Sequence, residues 1–446
     1  MTMKTFLWLL LLFSVFTLPE KGMAADNLQA VIDSAKDGAI IELKGKTYTG
    51  NIVIDKPLKL SGKKGTVIEG DGKGNVISIR AAGVTVSNLD VKKSGMDRNS
   101  PEEYAAIKVY SDGNLLSNIG IEDSFHGVYL SKAHHNTIED VRIRGAGKGE
   151  IAAQGNGLHI YYSNDNLLKN NSIEGTRDGM FFDYANDNKA LNNEITKTRY
   201  GLHYMYSDRN EFENNIFTFN TGGAAIMHSN QLKLKNNQFI FNYGHRSFGL
   251  LILSANENYI ENNTFYMNQR GLYIDQSTDN MIRANHIFQN QIGIELWASS
   301  NEQVFTENSI EENQIPAVAL GGSGRNSWSN NGTGNYWNAS FPLLDLDQDG
   351  VGDSSAVYKS SLYELIEDQE LVYLFLKSPA IQIYEKMNQL LNNEKVMFED
   401  EHPLIAKGHQ KVNLPVIGII AIIITAILVK RRHLLCITFG RNGRKI

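Results

Sequence analysis

Five side chains in this sequence have the chemistry to hold a soft metal ion. They are His159, His203, Met205, Met227 and His228. His203 stands two residues before Met205, and Met227 follows Met205 by 22 residues. Imidazole combined with thioether, without thiolate, suits Cu(I) better than zinc or calcium. The chain has a single cysteine, Cys436, which excludes an intrachain disulfide and thiolate zinc or redox pairs. A second set is acidic: Asp345, Asp347, Asp349 and Asp353, with Gly350 between them. Alternating carboxylates around a turn glycine suit a hard cation such as calcium. The twelfth position of that run is Ala356, not the bidentate Glu of an EF-hand. The two readings are a shorter calcium loop closed by Asp353 and a solvated acidic turn.

Whether the histidines and methionines meet depends on the elements that carry them. Gly157, Gly179, Gly201 and Gly223 are spaced by 22 residues, as are Gly249, Gly271 and Gly293, with one step of 26 between the groups. Gly127 opens an earlier copy. Short strands at this period, with no helix in each repeat, predict an all-β right-handed parallel β-helix. The residues one and three after each Gly are apolar (Leu202 and Tyr204, Ala224 and Ile226, Leu250 and Ile252), and alternation puts them in the core. Asn171, Asn193, Asn215, Asn237, Asn263 and Asn285 fall fourteen after each Gly and read as a structural ladder.

By the same alternation the residues two and four after Gly face outward. His203 then shares a face with Met205, about 6.6 Å along the strand, and Met205 meets Met227 across a rung step of about 4.8 Å. His159 lies two rungs from His203, about 10 Å away. His228 sits at the turn beside Met227. His126, His134 and His135 belong to an earlier copy and read as ordinary surface histidines. The expected Cu(I) patch is His203, Met205 and Met227, with His159 and His228 as neighbours.

The ends have their own logic. Lys4, the apolar run from Phe6 to Leu18, and Ala24 and Ala25 form an export signal over 1–25. The β-helix is expected over 26–340, opened by an amphipathic helix at 26–36 that covers the first rung. An acidic loop follows at 341–360, then two helices parted at Pro379 and a charged linker from Asn393, together 361–411. An apolar stretch at 412–430 reads as a transmembrane helix, and the basic tail 431–446 as its cytoplasmic end. The net charge of −6 gives no basis for nucleic-acid binding.

Two other uses of the outward face compete with metal binding. Exposed aromatic and Met side chains also serve as a protein-docking face. A polysaccharide hydrolase or lyase needs carboxylates within about 5–10 Å of each other. Asp183 and Asp275 share a column but stand four rungs apart, about 19 Å. Glu295, beside Asp275, offers the best remaining pair, and no Arg–Asp constellation recurs on neighbouring rungs.

The stretches GLHYMYSDRN (201–210), DGMFFDYANDN (178–188), GNYW (334–337) and SPAIQIYEKM (378–387), with the DxDxDGxGD loop, together resemble the NosD family of nitrous oxide reductase maturation proteins. The resemblance covers nearly all of the exported part. It implies an extracytoplasmic β-helix that works with an ABC-type ATPase and permease and with a copper chaperone to supply copper to the reductase. In that picture the ATPase performs the hydrolysis and this chain is not an enzyme. The C-terminal span departs from a soluble member of the family.

Overall fold

The computed structural model describes residues 27–405, apart from 146–149, 245, 323, 339–340, 342 and 377. The signal, the 412–430 span and the basic tail lie outside the described residues. Among the described residues no helix is long and apolar enough to cross a membrane.

The chain winds into stacked coils. Each regular coil contributes one six-residue strand to a 12-stranded parallel sheet and two three-residue strands to a 22-stranded sheet. The register is direct from coil to coil: Leu202 pairs with Ala224, Tyr204 with Ile226 and Met205 with Met227. The 26-residue step keeps this register, with Met227 against Leu253. Its extra residues are taken up in the turn before the strand Phe248–Leu253. The expected all-β parallel helix is thus the architecture.

Two columns make the close stacking possible. A Cβ on Gly201 would lie 2.6 Å from the carbonyl oxygen of Gly223, and one on Gly223 would lie 2.3 Å from that of Gly249. Any larger residue there would push neighbouring coils apart. The asparagine ladder satisfies the buried turn. Asn193 N donates to Asn215 Oδ1 at 2.9 Å, and Asn215 Nδ2 donates to Ala190 O and Asn237 Oδ1, each at 2.9 Å. Each Asn therefore bonds the coil before it and the coil after it, which satisfies buried turn amides and carbonyls at these positions. Leu202, Tyr204, Phe217 and Phe239 fill the interior with no accessible surface.

The first coil is covered by the helix Leu28–Ser34, capped by Asn27 and burying Leu28 and Ile32. Gln29 pairs with both backbone groups of Val53, at 2.7 and 3.1 Å, and so closes the edge of the 12-stranded sheet.

The far end differs from expectation in two respects. The region from Asn393 is not simply a linker: Lys395–Asp400 is a strand paired antiparallel with Ala356–Ser360. Its apolar residues drive this. Phe398 stacks on Trp337 at 4.1 Å, and Asp400, fully buried, accepts from Asn335 N at 2.7 Å and Trp337 Nε1 at 2.8 Å. The first C-terminal helix is also shorter than expected. It covers Leu362–Asp368 and stops where Gln369 is extended, and Glu370–Phe375 is a 3-10 segment. The break at Pro379 is present: Pro379–Leu390 begins there, capped by Ser378.

Replacing Asn215 by Ala orphans Asn193 N and Ala190 O inside the wall. The expected cost is about 2–6 kcal/mol, at about 1–3 per buried group. Urea unfolding of the variant should show a lowered midpoint, and an unchanged midpoint would mean the ladder is not what holds the coils.

Candidate metal-handling face

The outer side of the 12-stranded sheet carries two files of side chains. One file runs Lys108, Tyr129, His159, Phe181, His203, Ala225 and Leu251 through successive register pairs. The other includes Asp183, Met205, Met227 and Leu253. His203, Met205 and Met227 are therefore brought together as expected. Met227 and Leu253 also pack against an outer apolar cluster of Ala225, Phe248 and Leu251.

A third contributor escaped the alternation rule. The conserved geometry of each coil interrupts the two-residue period at Gly. The Cβ of Gly201 would point at Phe217 in the core, although Leu202 also faces the core. The residue just before Gly consequently joins the outer face, and this places His126, Asp178, Tyr200 and Arg270 there. Counting outward from Gly in one direction only misses all four.

Asp178 is the most consequential of them. Its carboxylate is buried and accepts from Arg199 Nε at 2.8 Å and from His203 Nδ1 at 3.0 Å. Burial alone would raise its pKa, but the hydrogen bonds and charges of His203 and Arg199 hold it below the usual carboxylate value. An ionised carboxylate can only accept, so a neutral His203 donates from Nδ1 and keeps the lone pair on Nε2. Phe181 and Tyr200 flank the ring at 4.6 and 5.4 Å. An imidazole oriented by a buried carboxylate is the usual support of a metal-ligating histidine. The expectation that no Arg–Asp constellation spans neighbouring rungs is corrected by Arg199 and Asp178. They sit at and beside the column before Gly.

His159 joins a different group. Phe181 separates it from His203, and its ring instead meets Tyr129 at 4.3 Å and His126 at 5.1 Å. His126 is not a surface residue: both histidines are 4% exposed. One ligand atom each of Glu103, His126 and His159 lies within 4.8 Å of the others. His228 also leaves the expected patch. It occupies a left-handed turn position (φ 49°) and stacks on Tyr206, continuing a ladder of Tyr162, Tyr184 and Tyr206.

The carboxylates do not form a hydrolytic pair. Glu295 lies in register with Tyr273, not Asp275, and binds Arg270 Nε at 2.8 Å. In the acidic loop Asp345, Asp347 and Asp349 bring oxygens within 4.8 Å of one another, without Asp353. Asp353 instead closes the loop through backbone bonds, accepting from Leu346 N at 2.6 Å and donating its own N–H to Leu344 O at 2.8 Å. Asp345 likewise accepts from Gly350 N at 3.1 Å. The other carboxylate oxygen of Asp345, Oδ1, is buried without a hydrogen-bond partner among the described residues.

Fold and face define a parallel β-helix that displays an imidazole–thioether surface. Residues 143–340 match the family described as periplasmic copper-binding protein (NosD). A probable ABC transporter binding protein NosD from Pseudomonas aeruginosa is 36% identical over 389 residues, spanning 80% of this chain and 86% of the relative. Its namesake from Stutzerimonas stutzeri is 31% identical, over 82% and 86% respectively. The chain belongs to the NosD family. Among solved structures, the catalytic domain of a GH87 α-1,3-glucanase superposes with a TM-score of 0.58 at 15% identity, covering 70% of this chain and 67% of that one. At that identity the likeness shows the coil architecture alone.

The buried histidines also set an acid limit on the fold. Burial, then the charges of Lys108 and Arg177, push His126 down to about 3, and burial pushes His159 the same way. The unfolded chain takes up these protons below about pH 6.5 while the folded chain refuses them. Stability is thus full above that pH and is lost as pH falls, by about 1.4 kcal/mol per unit for each histidine. In chelator-treated protein the urea midpoint should drop between about pH 6.5 and 5, less steeply in His159→Phe. Equal slopes in the two proteins would contradict the assignment.

Proposed function

We propose that this chain is an extracytoplasmic accessory protein that works with an ABC transporter and handles copper, as Cu(I), for the maturation of nitrous oxide reductase. The observation that carries this reading is the fixed His203 imidazole. Its Nδ1 is tied to buried Asp178, and its Nε2 is left for an ion beside the register-paired Met205 and Met227. A soft monovalent ion matches one imidazole and two thioethers, which release it more readily than thiolates would. Partial exposure of the face suits a transient cargo received from a copper chaperone and passed on.

Other features support the partners. The family description names copper and the periplasm, and the relatives are named as ABC transporter binding proteins. The C-terminal segments leave Leu371, Leu374, Ile383, Met387 and Leu390 more than half exposed. Such an apolar stripe fits docking against an apolar partner such as a permease. The exported location and an anchor at 412–430 belong to the same reading. Hydrolysis of nucleotide is left to the transporter's ATPase, and the chain itself is read as a binding protein, not an enzyme. Calcium at Asp345, Asp347, Asp349 and Asp353 is not part of it.

Cu(I) competition against a chromophoric chelator tests the proposal on the full chain. Replacing His203, Met205 and Met227 together by Ala should abolish the site. Asp178→Asn, which keeps the size but loses the charge that orients His203, should weaken it about 10–100-fold. Unchanged Cu(I) affinity in the triple variant would overturn the reading. Wild-type protein that takes up no Cu(I) yet still captures the permease would favour a docking scaffold.

A further inference from the structure

Beside the copper-handling face lies a compartment lined by rings and closed from outside by the crossover that precedes the strand Ala105–Val109. Tyr129 and Phe181 lie on either side of His159, at 4.3 and 4.8 Å, and Phe125 packs on His126 at 4.6 Å. Nε2 of His126 and Nε2 of His159 are both buried and have no hydrogen-bond partner. Buried polar atoms are rarely left so, and two of them on rings 5.1 Å apart from neighbouring coils point to something between them. Glu103 arrives from the crossover, and Tyr129 Oη donates to its Oε2 at 2.8 Å, which fixes the carboxylate toward the two rings.

We propose that Glu103, His126 and His159 form a buried site for a borderline divalent transition ion, zinc(II) or copper(II), separate from the His203–Met205–Met227 face. Two imidazoles and one carboxylate, with a fourth position left open, are a common donor set for such ions. Calcium or magnesium would require more oxygen ligands than Glu103 supplies. Soft Cu(I) is better served by the thioethers of Met205 and Met227, neither of which stands in register with this cluster. Lys108, paired with Glu102 at 3.1 Å, and Arg177 face the compartment as cations. Against them stand Glu103, Glu102, which neutralises Lys108, and Asp183, whose carboxyl is raised by burial and by the charge of Glu103.

Asn156 supports both rings. Its backbone N–H donates to His126 Nδ1 at 2.9 Å, and its side-chain amide lies 3.5 Å from His159 Nδ1. The Oδ1 of that amide is itself buried without a partner. With the amide turned end for end, His159 Nδ1–H donates to Oδ1 and Nε2 presents its lone pair to the ion. In the ion-free protein His126 carries its proton on Nε2, because Nδ1 accepts from Asn156. On uptake that proton moves to Nδ1, and the ring must turn away from the Asn156 N–H, which loses this acceptor, because two donors cannot face each other there. One neutral hydrogen bond is exchanged for one metal–nitrogen bond, with no net loss of protons.

Titration of the metal-stripped full chain with Zn(II) and Co(II), in competition with a chromophoric chelator, tests this site. The expected result is uptake of one ion, with the strong visible absorption of four-coordinate Co(II). Glu103→Gln should weaken binding about tenfold, and His126→Gln or His159→Gln about 100-fold. Glu103 lies in the crossover outside the strands, so its variant keeps the coils, and far-UV circular dichroism checks the histidine variants. The His203/Met205/Met227 triple variant should bind zinc as the wild type does, which separates this site from the Cu(I) face. Wild-type protein that takes up neither ion would mean that only a water bridges the rings. Equal affinity in the Glu103 and histidine variants, or zinc lost with the triple variant, would equally overturn the proposal.

Discussion

The side chains in the two outward files are placed by the hydrogen bonds between one coil and the next. Parallel strands in direct register put residues of successive repeats about 4.8 Å apart, with no freedom to slide. The glycine column lets the coils approach that closely, since the next carbonyl occupies the space of a Cβ. The asparagine ladders keep the turns satisfied at that spacing, with Asn193, Asn215 and Asn237 bonding in series. A file of outward residues is therefore a ruler. What stands at one height on one coil meets what stands at the same height on the next.

The chemistry of the face follows from that ruler and from one interruption in it. Met205 and Met227 are neighbours because their heights match. His203 is a fixed ring, not a loose surface one, because the glycine breaks the alternation and turns Asp178 outward beneath it. The same break turns His126 toward His159 on an earlier coil. One backbone irregularity, repeated down the stack, thus puts both the Asp178–His203 pair and the His126–His159 pair on the outer side of the sheet.

The repeat, the core columns and the Met205–Met227 pair were all legible in the sequence, because each rests on a fixed period. What was not legible involved contacts off the period. Arg199 carries no repeat signature, and the outward turn of Asp178 and His126 follows from glycine geometry that alternation ignores. The place of His126 in the FHG stretch (125–127) was the available hint, since a polar residue just before the column glycine recurs at Asp178 and Arg270. His228 was misplaced because a turn position in left-handed conformation points along the ladder of tyrosines and away from the sheet face. The strand Lys395–Asp400 was hidden by its charged flanks; its pairing depends on Trp337 and Asn335, about sixty residues away in the chain.

The account rests on a soft ion bound by thioethers from two coils together with the imidazole that Asp178 orients. Copper K-edge X-ray absorption on the full chain loaded with one equivalent of Cu(I) addresses this directly. The account predicts sulfur beside nitrogen in the first coordination shell, with the sulfur lost in a Met205→Leu/Met227→Leu variant. A first shell of nitrogen and oxygen alone, identical in wild type and variant, would contradict it.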